Sequence, residues 1–179
     1  GKINPDFDIS SDTFDFFADK QGVKIEGNAK IKNLPVRAQF SGALAKNEPK
    51  FLEIDFNVSQ QSLEMIPFNM PDIKISGSAP AKLYLKFSES KNVEFELVSN
   101  LKGVELSHPL TGWVKEMSEE AELKVSGTLG TEFVLDKISL ISPELVLQGS
   151  AVQKRDENIL LNFEKLALRD VFDLHLVIE

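Results

Sequence analysis

The sequence predicts an all-β protein with few short helices: a long antiparallel meander curled into a groove with an apolar interior. Apolar and polar residues alternate over long runs, which marks strands with one buried face. A glycine recurs inside that alternation, in "VKIEGNAKI" from Val23, "IKISGSAPA" from Ile73 and "LKVSGTLGT" from Leu123, with a looser copy, "LVLQGSAV", at Leu145. Stretches with helical spacing are scarce.

The elements follow in chain order. The acidic opening "NPDFDISSDTFDFFAD" reads as less certain lead-in strands over residues 1–21, with Asp6 and Asp8 around Phe7 and Asp12 and Asp15 around Phe14 on solvated faces. From residue 22 onward the pattern is regular. Val23, Ile25, Gly27, Ala29 and Ile31 share one parity, against Lys24, Glu26, Asn28 and Lys30. "SQQSLEMI" predicts a short helix, with Ser59 as N-cap and Pro67 and Pro71 ending it. Ile73, Ile75, Gly77, Ala79, Ala81, Leu83, Leu85 and Phe87 then form one uninterrupted apolar parity. Val93, Phe95 and Leu97 alternate with glutamates. "TGWVKEMSEEAE" has room for one more helical turn. Leu123, Val125, Gly127, Leu129, Phe133 and Leu135 continue the apolar series, and Phe172, Leu174, Leu176 and Ile178 close it. About ten to twelve strands fit, and short turns such as "AKNEPK" and "SESKN" favour antiparallel neighbours, because parallel ones need long crossovers.

A sheet of this size presents on the order of 1,200 Å² per face, whereas exposed apolar patches on monomers seldom exceed roughly 600 Å². The apolar face must therefore close on itself as a sandwich or barrel, be shielded by neighbouring segments, or hold an apolar ligand. Gly27, Gly77, Gly127 and Gly149 stand where a large apolar residue is otherwise expected. They read either as a line of bending that curls the sheet or as independent bulges and hairpin ends. Pro35 and Pro80 mark further breaks, edges or bulges.

Composition excludes several roles. With 179 residues, 42% hydrophobic and 27% charged, the chain can bury a sizeable core. A net charge of −8 and the lack of basic runs argue against binding nucleic acid or an anionic membrane surface. There is no cysteine, hence no disulfide and no thiolate chemistry. His108 and His175 are far apart, and no phosphate loop, dinucleotide fingerprint, nucleophile elbow or zinc motif occurs. The opening aspartates lack the glycine and terminal glutamate of a calcium loop. No enzymatic activity, cofactor or metal is expected. The abrupt start at Gly1 and the strand-like end "LHLVIE" suggest a piece of a longer protein.

One segment is more specific. "LKGVELSHPLTGWVKEMSEEAELKVSG" carries Leu101, Gly103, Val104, Leu106, Pro109, Gly112, Trp113 and Lys115 in a strand, proline, "L-GW-x-K" order. It resembles the central region of YhdP-type members of the AsmA-like superfamily. "VKIEGNAKIKNLPVRAQFSG" and the closing segment from Leu145 resemble that family too, so the likeness spans most of residues 22–179. Asn100, where the family often has Asp, and "EMSEE" after Lys115 depart from its pattern.

The resemblance implies one segment of an elongated β-groove over 1–179, in the periplasm of a Gram-negative bacterium. It would be part of an inner-membrane-anchored protein that carries phospholipids between membranes. The implied partners are phospholipids or other acyl-chain lipids, neighbouring segments of the same parent chain, and possible envelope proteins. The expected groove lining is Ile25, Ile75, Leu83, Leu85, Phe87, Phe95, Leu123, Val125, Leu145 and Leu147. Of the family motif, Trp113 is expected to fill a corner of the sheet rather than touch lipid. Lys115 is expected to face solvent, with a phosphate head group as its alternative partner. The competing expectation is a structural or interaction domain whose apolar face is closed internally.

Overall fold

The computed structural model describes residues 9–45, 47–63, 73–89, 92–109, 112–130, 132–153, 159–168 and 172–174. The chain is almost entirely β. Its strands are β1 (Ile9–Ala18), β2 (Gly22–Ile31), β3 (Leu34–Ala43), β4 (Lys50–Val58), β5 (Lys74–Gly77), β6 (Ala79–Phe87) and β7 (Val93–Ser99). They continue with β8 (Val104–His108), β9 (Trp113–Lys115), β10 (Glu122–Leu129), β11 (Phe133–Ile141), β12 (Leu145–Gln153), β13 (Ile159–Leu168) and β14 (Phe172–Leu174). A single helical turn, α1 (Gln60–Leu63), follows β4. Ser59 does begin this turn, but the Ser62 hydroxyl makes the local bonds, accepting from the Ser59 N–H at 2.9 Å and donating to the Ser59 carbonyl at 2.9 Å.

Eleven strands form one antiparallel sheet in the order β1-β2-β3-β4-β6-β7-β10-β11-β12-β13-β14, curled and not closed into a barrel. The meander is interrupted twice. The link from β4 to β6 contributes β5, and the link from β7 to β10 contributes β8 and β9. These three pair as a second sheet, β5-β8-β9. Two excursions from the main sheet thus meet each other.

The predicted apolar run from Ile73 to Phe87 is therefore not one strand. Ile75 and Gly77 belong to the small sheet, and Ala79 begins a strand of the large one. Gly77 adopts φ +82°, a left-handed conformation that turns the chain between sheets without disturbing the alternation. The expected helical turn in "TGWVKEMSEEAE" is instead β9 followed by an irregular turn.

Register carries the alternation across the whole large sheet. Phe16 pairs with Ile25, Ile25 with Phe40, Phe40 with Leu52, and Leu52 with Leu85. The same rung continues through Phe95, Gly127, Leu135, Ala151 and Leu161. Directly paired residues project from the same side of a sheet, so one face is apolar from β1 to β13. The opposite face carries the charges. There Lys24 pairs with Glu26 at 2.8 Å, Lys86 with Glu94 at 3.0 Å and Lys124 with Glu96 at 2.9 Å. Lys82 bridges Glu53 and, at 3.0 Å, Asp55. These exposed pairs fix which side faces water more than they stabilise the fold. Hydrogen bonding to Lys24 lowers the Glu26 pKa, and Glu53 and then Asp55 raise that of Lys82.

Pro35 and Pro80 sit where a ladder has ended on one side. The β3–β4 pairing starts at Arg37 and the β6–β7 pairing at Ala81, so neither proline removes a needed donor there.

Candidate functional site: an apolar trough with one covered side

The apolar face divides along the strand direction. At one end the small sheet lies against it. Val58, Ala79, Ala81, Leu101, Val104, Leu106 and Ala121 form a buried cluster, with Phe56, Ile73, Ile75, Leu97, Trp113, Leu123 and Leu140 packed around it. The large sheet offers small residues here: Ala79 is 0% exposed and Ala81 4%. Side chains of that size let a second layer approach closely.

The connections are tied down by hydrogen bonds. The Ser78 N–H donates to the Gly103 carbonyl at 3.1 Å, that of Gly103 to Met117 at 2.8 Å, and that of Ala121 to Asn100 at 2.9 Å. Ser99 Oγ donates to the Pro80 carbonyl at 2.8 Å and accepts from the Leu101 N–H at 3.1 Å.

Lys115 is at the centre of this knot. It is 1% exposed, and its Nζ donates to the carbonyls of Val104 at 2.7 Å, Leu101 at 2.8 Å and Glu116 at 3.0 Å. An ammonium has three donors, and all are used. Burial lowers its pKa, with Glu119 opposing. The expectation of a solvent-facing lysine, or one reaching a head group, is thus corrected. Leu101 at φ +50° and Gly103 at φ +94° form a tight turn, and the carbonyls of Leu101 and Val104 meet the Lys115 ammonium there. Trp113 is half-buried against the core cluster. Gly112 takes φ +70° in the turn before it. The Gly112, Trp113 and Lys115 motif holds the small sheet together, and none of the three lines the trough.

Away from the small sheet the face is only partly covered. Ile25, Leu83, Leu85, Phe87, Phe95, Val125 and Leu147 lie on it half-buried, Leu123 belongs to the margin of the covered cluster, and Leu145 is buried at its edge. Ile75 instead belongs to the covering sheet. A second buried cluster, Ala29, Leu34, Val36 and Ile54, anchors the β2–β4 part. At the far rim, Ala18, Val23, Gly42, Lys50, Phe87, Val93, Leu129, Phe133 and Gln153 form a continuous rung. Leu129 is 39% exposed. The Phe95 and Phe133 rings stack at 6.0 Å, flanking β10 next to Gly127, which has no side chain to separate them.

Three of the four repeated glycines have a common geometry. A Cβ on Gly27 would lie 2.6 Å from the Thr13 carbonyl oxygen, one on Gly127 1.9 Å from that of Val134, and one on Gly149 2.4 Å from that of Asn162. Each stands beside a register shift in its pairing, at Ser10/Thr13, Ser126/Gly127 and Gln148/Gly149. A bulge rolls the neighbouring backbone toward the apolar side, and glycine leaves the space it needs. Gly77 differs, because it turns the chain between sheets.

The opposite, polar face holds an indentation of about 610 Å³ lined by residues including Asn28, Lys30, Arg37, Asp55, Asn57 and Lys82. Ala29, Val36, Phe56 and Ala81, which belong to the apolar parity, also contribute to its lining. His108 ends β8, and His175 lies outside the described residues, as do Asp6 and Asp8. No group of acidic and histidine side chains suited to a metal occurs among the described residues. No helix of the described structure is long and apolar enough to cross a membrane. The small sheet and the buried ammonium are what sequence reasoning missed. No family model, curated protein or solved structure matches this chain.

Proposed function

We propose that this chain is a segment of a non-enzymatic lipid conduit that holds hydrocarbon chains in the apolar trough. The observation that carries the reading is an uncharged rung, from Phe16 to Leu161, that stays half open over most of its length. A self-contained core buries such side chains; here Ala79 and Ala81 are buried under the small sheet, while Phe16, Leu85 and Phe95 of the rung stay partly open. The resemblance to YhdP-type AsmA-like proteins supports the same reading. It adds a periplasmic setting, an inner-membrane-anchored parent and phospholipid as cargo moving between membranes.

The test is lipid occupancy. Protein purified from a lipid-replete bacterial host is expected to carry phospholipid in native mass spectrometry. Leu85→Asp is expected to lose it with an unchanged β-sheet dichroism spectrum, because a carboxylate among acyl chains costs several kcal/mol. Lipid-free wild-type protein that also takes up none from vesicles would sink the proposal.

One observation favours a second reading. The small sheet already closes one side of the face, as an interaction domain with an internal core would do. In that case Leu85→Asp behaves as a core lesion, unfolding the protein and changing no lipid content.

A further inference from the structure

The strand β1 is an open edge. It ends the strand order of the large sheet, and among the described residues nothing pairs with its outer side. A register shift interrupts its start between Ser10 and Thr13, but from Thr13 to Ala18 its pairing with β2 is regular. Edges of native sheets are usually kept short or blunted with proline or lysine. This one is 10 residues long and contains neither. It carries Phe14, Phe16 and Phe17 instead, each half exposed or more.

The three rings do not share a face. Phe14 and Phe16 pair with Gly27 and Ile25 on the apolar side, whereas Phe17 pairs with Lys24 on the polar side. An occupant of the trough reaches only the first two. A strand added outside β1 flanks both faces at once and gives all three rings a neighbour.

Asp15 sets the charge of that strand. It is exposed on the polar face, and its direct partner on β2 is Glu26, which Lys24 already engages at 2.8 Å. Among the described residues Asp15 has no ion pair. Elsewhere in the sheet the carboxylates of β4 and β7 are met by lysines of adjoining strands: Glu53 and Asp55 by Lys82, Glu94 by Lys86, and Glu96 by Lys124. The counterpart that Asp15 lacks is a cation on a strand outside β1. A second copy does not supply it through its own β1. Antiparallel pairing with Phe16 opposite Phe16 keeps the apolar sides together, yet it brings more carboxylates and no cation, because β1 has no lysine or arginine.

We propose that β1 is a strand-addition edge for a separate polypeptide. The segment it takes is extended, with apolar residues opposite Phe14 and Phe16 and a lysine or arginine opposite Asp15. Main-chain hydrogen bonds hold such a segment, and its alternating side chains decide which one binds.

The probe is a labelled synthetic peptide of valine and threonine with one central lysine, compared with the same peptide carrying glutamate there. Binding to the full chain is followed by fluorescence anisotropy. The lysine peptide is expected to bind about fivefold more tightly, the size of one exposed ion pair, and to slow hydrogen exchange across Thr13 to Ala18. Asp15→Asn brings the ratio near one, Asp15→Lys inverts it, and Phe17→Ser weakens both peptides. Absence of binding, equal binding of the two peptides by the wild type, or binding that leaves exchange in β1 unchanged overturns the proposal. A chain that sediments as a dimer with β1 protected before any peptide is added assigns the edge to a second copy and overturns it as well.

Discussion

The two ends of the apolar face are built from different materials. Under the small sheet stand Ala79, Ala81 and Ser99, each 9% exposed or less. At the open rim stand Phe87, Leu129 and Phe133, half-buried or exposed. The two ends share strands and parity, so the difference is not one of secondary structure. At the covered end Ala79 and Ala81 make room for the small sheet, with Val58, Leu97 and Leu123 packed around them, whereas at the rim Phe87, Leu129 and Phe133 stay partly open. A large side chain contributes most when something packs on it, and the small sheet does not reach the rim.

That contrast can be broken most severely from the covered end. Lys115→Met keeps the stem but removes the donors to three carbonyls, leaving buried acceptors unsatisfied. It is expected to cost about 3 kcal/mol, read as a lower urea midpoint. Ala79→Leu forces extra volume between the layers and is expected to cost about 2 kcal/mol in the same measurement. Leu129→Ser at the rim is expected to stay within about 0.5 kcal/mol of wild type while reducing bound lipid. If all three cost the same, the two ends are one core and the contrast is void.

The smallest effect concerns pH. Burial lowers the Lys115 pKa below its ordinary value of 10.5, so between the two values the unfolded chain binds the proton more tightly. Stability therefore rises with pH as 10.5 is approached. Subtracting the Lys115→Met profile of urea midpoints from that of wild type isolates this slope. A flat or falling difference rules it out.

Much of this was legible in the sequence. Alternation identified the strands and their oily side, because a period of two is a local property that neighbouring residues report. The split between Gly77 and Ala79 was not legible. The parity of Ile75, Gly77 and Ala79 runs on unbroken, and only the positive φ of Gly77 sends the chain from one sheet to the other. Lys115 was misread for a related reason. Its burial depends on carbonyls of Leu101 and Val104, brought to it by a turn that no local pattern announces. The recurring glycines left bending and independent bulges open, and at Gly27, Gly127 and Gly149 a register shift brings a backbone carbonyl where a Cβ would stand.

The strand order runs from β1 to β14 without returning on itself. At ~4.8 Å per step, ten steps make a ruler about 48 Å long, graduated in hairpins. Inserting a hairpin that keeps parity extends the ruler by two graduations and leaves its cross-section alone. An insertion of odd register turns the oily side outward from that point on. Length in such a body is thus cheap to change and phase is not.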